Sequence, residues 1–261
     1  MIIHQVDGLR FYSFESFENQ GIISAAFTRH GGNSPVPWNG LNVGGTVGDS
    51  LENVVENRRR LFQAAGRPQE SIFDVWQVHS NDVVVADQPR SSSQPYVKAD
   101  AILTDRNKVT LFMRFADCVP ILLFDPIHKA IGLVHAGWVG TVNQIAKVTV
   151  EAMQAEFGTD PKQLLAGIGP SICATHYPIG PDVIARVKET FEADSRQLLS
   201  GNGTATHFDL WNANRLILEK AGISHIEISG MCTACHPEDW FSHRGEKGKT
   251  GRFGVLFALM D

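Results

Sequence analysis

Two apolar runs, Val119-Pro120-Ile121-Leu122-Leu123-Phe124 and Lys129-Ala130-Ile131-Gly132-Leu133-Val134, flank the tetrapeptide Asp125-Pro126-Ile127-His128. Each run is too short for a helix and rich in branched side chains, which marks a buried strand. Asp followed by Pro is type I turn chemistry. The segment is expected to be a β-hairpin centred between Pro126 and Ile127. Such a hairpin constrains more than the fold, because folding about that centre sets Cys118 opposite His135. Directly opposed residues of an antiparallel pair share a face, with Cβ atoms roughly 4.5–5.5 Å apart. A slip of one residue would send the two side chains to opposite faces.

A second imidazole is available from Gln77-Val78-His79-Ser80, at the end of a strand expected over 73–79. His79, Cys118 and His135 then form a His2Cys set. On zinc such a set leaves one of four tetrahedral positions open, the pattern of a catalytic rather than a structural ion. A lone His or Cys at a strand end is most often simply packed. The opposed pair is what argues for a site. Without metal, Cys118 and His135 read as a nucleophile and its base. Asp117 adjoins Cys118 on the strand and points to the other face. It is expected to hold a loop or stand behind the ligands rather than touch a metal beside Cys118.

Runs rich in Val, Ile, Leu and Phe predict strands at 3–12, 22–28, 72–79, 82–87, 100–104, 109–115, 119–124, 129–134, 164–168, 225–229 and 252–259. Helices are expected at 51–65, 140–157, 181–193 and 210–221. The first has Asp49-Ser50 to cap it and Gly66 to end it; the last has Asp209 and Gly222 in those roles. Strands outnumber helices and several follow one another directly. The fold class is therefore α+β: a single-domain mixed α/β sandwich over residues 1–261, with largely antiparallel or mixed sheets flanked by helices. Ser91-Ser92-Ser93-Gln94-Pro95 and Ser200-Gly201-Asn202-Gly203-Thr204 are too short for linkers and read as surface loops.

A hydrophobic content of 43% across 261 residues supports a substantial core. The net charge of −5 offers no electrostatic footprint for nucleic acid or an anionic membrane. No apolar run reaches the length of a membrane span, and the N-terminus lacks the basic and apolar segments of a secretory signal. A cytoplasmic protein with four reduced cysteines is expected.

Cys232-Thr233-Ala234-Cys235-His236 matches the c-type haem attachment pattern. That attachment requires export, so the match is read as accidental. As half of a zinc site it lacks a second Cys-x-x-Cys, which leaves a turn bearing two reduced thiols near a pocket. The Gly-rich stretch 241–254 carries Arg244 and Arg252, and Thr28-Arg29-His30-Gly31-Gly32 follows an early strand. Arg244, Arg252 and Arg29 are candidates to grip phosphate, since a guanidinium binds such anions bidentately. Arg58-Arg59-Arg60 is expected on a solvated helix face.

Ten ordered segments carry a resemblance to a known family. They are Thr28-Arg29-His30-Gly31-Gly32, Leu41-Asn42-Val43-Gly44, Glu56-Asn57-Arg58-Arg59, Gln77-Val78-His79-Ser80, Ala99-Asp100-Ala101, Ala116-Asp117-Cys118-Val119-Pro120, His135-Ala136-Gly137-Trp138, Gly169-Pro170-Ser171-Ile172, Cys232-Thr233 and Phe241-Ser242-His243-Arg244. Together they resemble the laccase-domain proteins, also called polyphenol oxidase or multicopper polyphenol oxidoreductase-like, now viewed as purine nucleoside phosphorylases. The resemblance implies a single α/β sandwich domain with zinc held by His79, Cys118 and His135. It implies phosphorolysis of adenosine, inosine and methylthioadenosine, with adenosine deamination as a second reaction. Some relatives are linked to editing cell-wall precursors, which would suit a Cys-His hydrolase or amidase instead.

Two positions depart from the family's pattern. Val139 stands where an Arg usually follows His-Ala-Gly-Trp, so one cation near the pocket is missing. His176-Tyr177-Pro178-Ile179-Gly180 stands where the family has Cys-Tyr-x-Val-Gly. The laccase name itself fails a chemical check. A multicopper oxidase needs several His-x-His pairs, and none of the ten His stands two residues from another. Copper in place of zinc would give only incidental phenol oxidation.

Overall fold

The computed structural model describes residues 1–91, 93–201 and 205–260. The loop expectations at Ser92 and at 202–204 lie outside the described residues. Two six-stranded sheets face each other. The first runs in the order β1 (Ile2–Val6), β2 (Leu9–Ser13), β3 (Ile22–Phe27), β15 (Phe253–Leu259), β7 (Thr110–Phe115) and β4 (Ile72–Phe73). The second runs β14 (His225–Ile228), β10 (Leu165–Ile168), β8 (Val119–Asp125), β9 (Ala130–Ala136), β6 (Ala101–Thr104) and β5 (Val83–Val85). A small third sheet joins β11 (Pro178–Ile179), β13 (Thr206–Phe208) and β12 (Leu199–Gly201). Most pairings are antiparallel, but β4 with β7, β5 with β6 and β10 with β14 are parallel. The mixed α+β architecture expected from the sequence is the one observed.

The two-residue period of a strand explains the layering. In β15, Phe253, Val255 and Phe257 enter the core between the sheets, while Leu256 and Ala258 face outward. Helix α1 (Leu51–Ala64) covers that outward face with Leu61 and Phe62. In β8, Leu122 and Phe124 enter the same central core, while Val119, Ile121 and Leu123 face the other way. There they meet α3 (Ile145–Phe157), α4 (Pro181–Phe191) and α6 (Leu210–Lys220). Two shorter helices, α2 (Trp138–Val142) and α5 (Ser195–Leu198), complete the set. No helix among the described residues is long and apolar enough to cross a membrane.

Several local expectations are corrected. The strand read over 3–12 is a hairpin, broken where Asp7 (φ 50°) and Gly8 (φ 79°) make a two-residue turn. The helix read over 140–157 is interrupted by Gln144, at φ 57°. The strand read over 73–79 stops at Phe73, and His79 lies in a bend with φ 62°. The β8–β9 hairpin forms, but its register pairs Pro120 with His135 and Asp125 with Ala130. Its centre therefore falls one residue later than the symmetric turn predicted. Asp125 Oδ1 accepts from the amides of Ile127 and His128, and Lys129 follows at φ 52°. That left-handed residue lengthens the loop to Pro126–Lys129. The shift changes which residues oppose one another without changing their faces, since both partners move by whole pairs.

Phe124 is fully buried between the sheets, whereas Ile127 at the hairpin tip is 65% exposed. Phe124→Ala should cost about 3–5 kcal/mol, and Ile127→Ala no more than about 0.5 kcal/mol. Urea titration of the two variants measures both.

Candidate metal centre and cavity

The ends of β8 and β9 open onto a cavity of about 910 Å³, and His79, Cys118 and His135 line it. Continuing the observed register by one pair sets Cys118 opposite Gly137, with His135 on the diagonal. The pair predicted to be directly opposed is therefore diagonal, and on the same face. Gly137 keeps the corner open, because a Cβ there would lie 2.9 Å from His79 Cδ2 and 3.0 Å from Cys118 Sγ. Cys118 Sγ is 3.8 Å from His79 Nε2, and the two imidazole rings meet edge-on with centroids 5.0 Å apart. One ligand atom from each of the three residues falls within a 4.8 Å span, so together they could hold a metal ion.

The residue that organises this cluster, Asp100, was given no role in the sequence reading. Its Oδ1 sits 2.8 Å from His135 Nδ1, which leaves Nε2 as the ring's free nitrogen. Its Oδ2 accepts from Val78 N, Ser80 N and Ser80 Oγ at 2.6–3.1 Å, the residues on either side of His79. A carboxylate behind a ligating imidazole fixes its tautomer and orientation. The signal in the sequence was an acid opening an otherwise apolar strand. Gln77 does a related task. It trades two hydrogen bonds with the Arg114 backbone, and so docks the bend carrying His79 onto β7.

The electrostatics favour a charged pair in the metal-free cluster. Burial opposes ionisation of Cys118, but His135 and His79 outweigh it and bring the thiol down to about 6. Burial likewise opposes protonation of His135, yet Cys118 and Asp100 raise it to about 9. Asp100 itself is held below the usual carboxylate range. Burial works against this, but the bonds to His135, Ser80 and Val78 prevail.

Asp117 faces away from the cluster and holds loops, as expected. At φ 87° its Oδ1 accepts from Thr233 Oγ1 and Ser242 Oγ, each at 2.7 Å, and its Oδ2 from Arg244 N at 2.6 Å. It thereby sets Arg244 on the cavity wall, where the guanidinium lies 5.0 Å above the Tyr177 ring. Arg252 also lines the cavity, on a loop fixed by Asn42 Oδ1, which accepts from Arg252 N at 2.8 Å. Arg29 does not line it. Its guanidinium is committed to Asn39, Pro237, Trp240 and Glu246, over the Phe241 ring, where it braces the 237–246 loop.

Two cations escaped the sequence reading. Arg58, expected on a solvated face, sits on the inner side of α1 with Val54 and Leu61 and lines the cavity. Arg114, the one charged residue within β7, lines it too. Both lie within 4 Å of the buried Asp74, which Arg90 already pairs at 2.7 Å. Three guanidinium groups around one carboxylate leave a surplus of positive charge beside the cavity. Trp76 and Tyr96, each less than half exposed, add aromatic faces at the rim. Trp138 packs on the helical core and touches the cavity as well, next to Val139.

Fold and site together define a mixed α/β sandwich with a His2Cys cluster at the base of an arginine-lined cavity. A family model described as multi-copper polyphenol oxidoreductase laccase matches residues 23–260, and the chain belongs to that family. It is 37% identical over 241 residues to a protein of Deinococcus radiodurans named purine nucleoside phosphorylase, covering 92% of this chain and 90% of that one. It is 35% identical over 255 residues to purine nucleoside phosphorylase YlmD of Bacillus subtilis, with 93% and 90% covered. Among solved structures, that of YlmD from Geobacillus stearothermophilus superposes with a TM-score of 0.92 at 32% identity, covering 99% of this chain and 98% of that one.

Two outcomes follow from the cluster. In metal-stripped protein Cys118 should alkylate with a half-maximal rate near pH 6, because thiolate is the reactive form. Replacing His135 by Gln removes the main group that lowers the thiol and should move that midpoint upward, read by iodoacetamide kinetics against pH. Asp100→Asn should weaken binding of a divalent metal at the cluster about 10–100-fold with the fold retained, measured by competition with a chromogenic chelator.

Proposed function

We propose that this chain is a zinc-dependent purine nucleoside phosphorylase acting on adenosine, inosine and methylthioadenosine, with adenosine deamination as a lesser reaction. The observation that carries the reading is the joining of the His79–Cys118–His135 cluster and four arginines in one cavity. The names of the bacterial relatives support it. A single cytoplasmic domain over residues 1–261 is part of the same reading. The donor set suits zinc, with two imidazoles, one readily ionised thiol and a corner kept clear by Gly137. Zinc with an open position supplies a Lewis acid; copper there would account for slow phenol oxidation.

The remaining chemistry belongs to the chain's own side chains. In phosphorolysis an oxygen of phosphate bonds to the ribose carbon C1′ as the bond to the purine nitrogen breaks. Arg244 and Arg252, with Arg58 and Arg114, hold the attacking anion. Val139 withholds one further cation, and the other four supply the field in its place. Tyr177 is kept protonated: burial and the nearby Cys118 raise it well above the ordinary phenol, with Arg244 pulling the other way. A neutral phenol beside the cavity can donate a hydrogen bond to a departing purine. Trp76 and Tyr96 offer faces for the base to stack on.

A second reading, a Cys-His hydrolase or amidase, draws on the same charged pair of Cys118 and His135. It predicts activity that survives chelators and dies on alkylation.

On metal-quantified protein, adenosine with phosphate should yield adenine and ribose 1-phosphate, and Cys118→Ala should abolish this. Arg244→Ala should raise the KM for phosphate about tenfold or more, the loss of one charge-assisted contact of about 1.5–3 kcal/mol. Inosine formed without phosphate marks the deaminase arm. Zinc-loaded protein that turns over no nucleoside would sink the reading and leave the hydrolase.

A further inference from the structure

The Cys-x-x-Cys pair that found no partner in the sequence has one in the fold. Cys232 and Cys235 face a Cys-x-x-His pair, Cys173 and His176, from the loop that follows β10. The sulfurs of Cys173, Cys232 and Cys235 lie 3.4, 4.0 and 3.4 Å from His176 Nδ1. All four donor atoms fall within 4.8 Å of one another. Bonds of about 2.3 Å to sulfur and 2.0–2.1 Å to nitrogen around a tetrahedral zinc put neighbouring ligand atoms about 3.5–3.8 Å apart. The observed spacings bracket that value. All three cysteines are free.

We infer that Cys173, His176, Cys232 and Cys235 form a second metal site, closed and structural, that binds one zinc ion. Three sulfurs and one imidazole are the donor set of structural zinc sites, and four protein ligands leave no position for substrate. This sets the site apart from the three-ligand cluster in the cavity.

The two loops are built to hold the ligands. A single helical turn at Ala174–His176 brings His176 back over Cys173. The turn closed by His236 N on Cys232 O does the same for Cys232 and Cys235. A short parallel bridge of Ser171 with Cys232 aligns the loops, with Ser171 N bonded to Met231 O and Thr233 N to Ser171 O. The amide of Cys173 donates to Cys232 Sγ at 3.3 Å, a contact that favours a thiolate there. His236, next in sequence, is turned to Glu238 and stays outside the set.

The site has a structural consequence for the cavity. Ile172 and Tyr177 flank the Cys173–His176 pair, and both line the cavity. Ile172 N bonds Asp117 O, and Tyr177 underlies Arg244. An ion pinning the two loops would fix this wall without touching substrate.

The test is metal content of protein expressed with ample zinc and purified under reducing conditions, measured by plasma mass spectrometry. Wild type should hold a second equivalent, and Cys235→Ser and Cys173→Ser should each halve the total. Cys118→Ala should halve it as well but keep the closed site. In that background cobalt should give the intense charge-transfer bands of a three-thiolate site, absent once Cys173→Ser is added. The inference is overturned if the Cys173 and Cys235 variants retain wild-type zinc, or if peptide mapping of unreduced protein finds these cysteines joined in a disulfide. Neither result bears on nucleoside turnover, which is assayed separately.

Discussion

The carboxylate of Asp100 accepts three hydrogen bonds from the bend that carries His79 and one from the ring of His135. Its own carbonyl receives the His135 amide at 2.7 Å. One fully buried side chain thus joins two segments that have no strand pairing with each other. His79 sits at φ 62°, a conformation a bulky residue adopts only when its surroundings insist. The amides on either side of it are what Asp100 holds. Removing the carboxylate would release the bend and the imidazole together. Burying a charge at this depth is tolerable because each oxygen is satisfied by a donor.

Asp117 plays the same part on the other side of Cys118. It gathers Thr233, Ser242 and the Arg244 amide, and so connects the end of the hairpin to the loop before β15. Between them, two acids place a thiol, two imidazoles and an arginine. The cavity sits where the central core ends, and Phe115 packs its ring 5.4 Å from His135. Strand ends and one bend hold the cluster, while a helix, a strand and a loop bring Arg58, Arg114 and the pair Arg244 and Arg252 to the same cavity.

Much of this was legible because a strand alternates with period two. The faces of Cys118 and His135 followed from parity alone, and parity survived an error in the turn's centre. The exact opposition did not survive, because Lys129 in the left-handed region lengthened the loop in a way Asp-Pro chemistry does not announce. The fold brings His79 beside the other two, from a bend rather than from the strand its sequence suggests. The run that reads as a strand ends at Phe73, and the bend beyond it is held by hydrogen bonds from Val78 and Ser80 to Asp100. Arg58 was misread because a charge triplet on a helix hides which member turns inward, and only the packing of α1 decides. The partner of the Cys-x-x-Cys pair was missed because a Cys-x-x-His on another loop carries little meaning until the fold closes.

The three residues at the cavity's base come from two stretches of chain, a bend carrying His79 and the two arms of one hairpin carrying Cys118 and His135. An unfolded chain would have to close two loops to bring them to one ion, a cost the folded chain has already met. Any ion they bind therefore prefers the native state, and by mass action adds about 2.7 kcal/mol of stability at a hundredfold excess over its dissociation constant. For a protein of ordinary stability that is a sizeable fraction of the whole. Metal supply would then set how much folded protein persists.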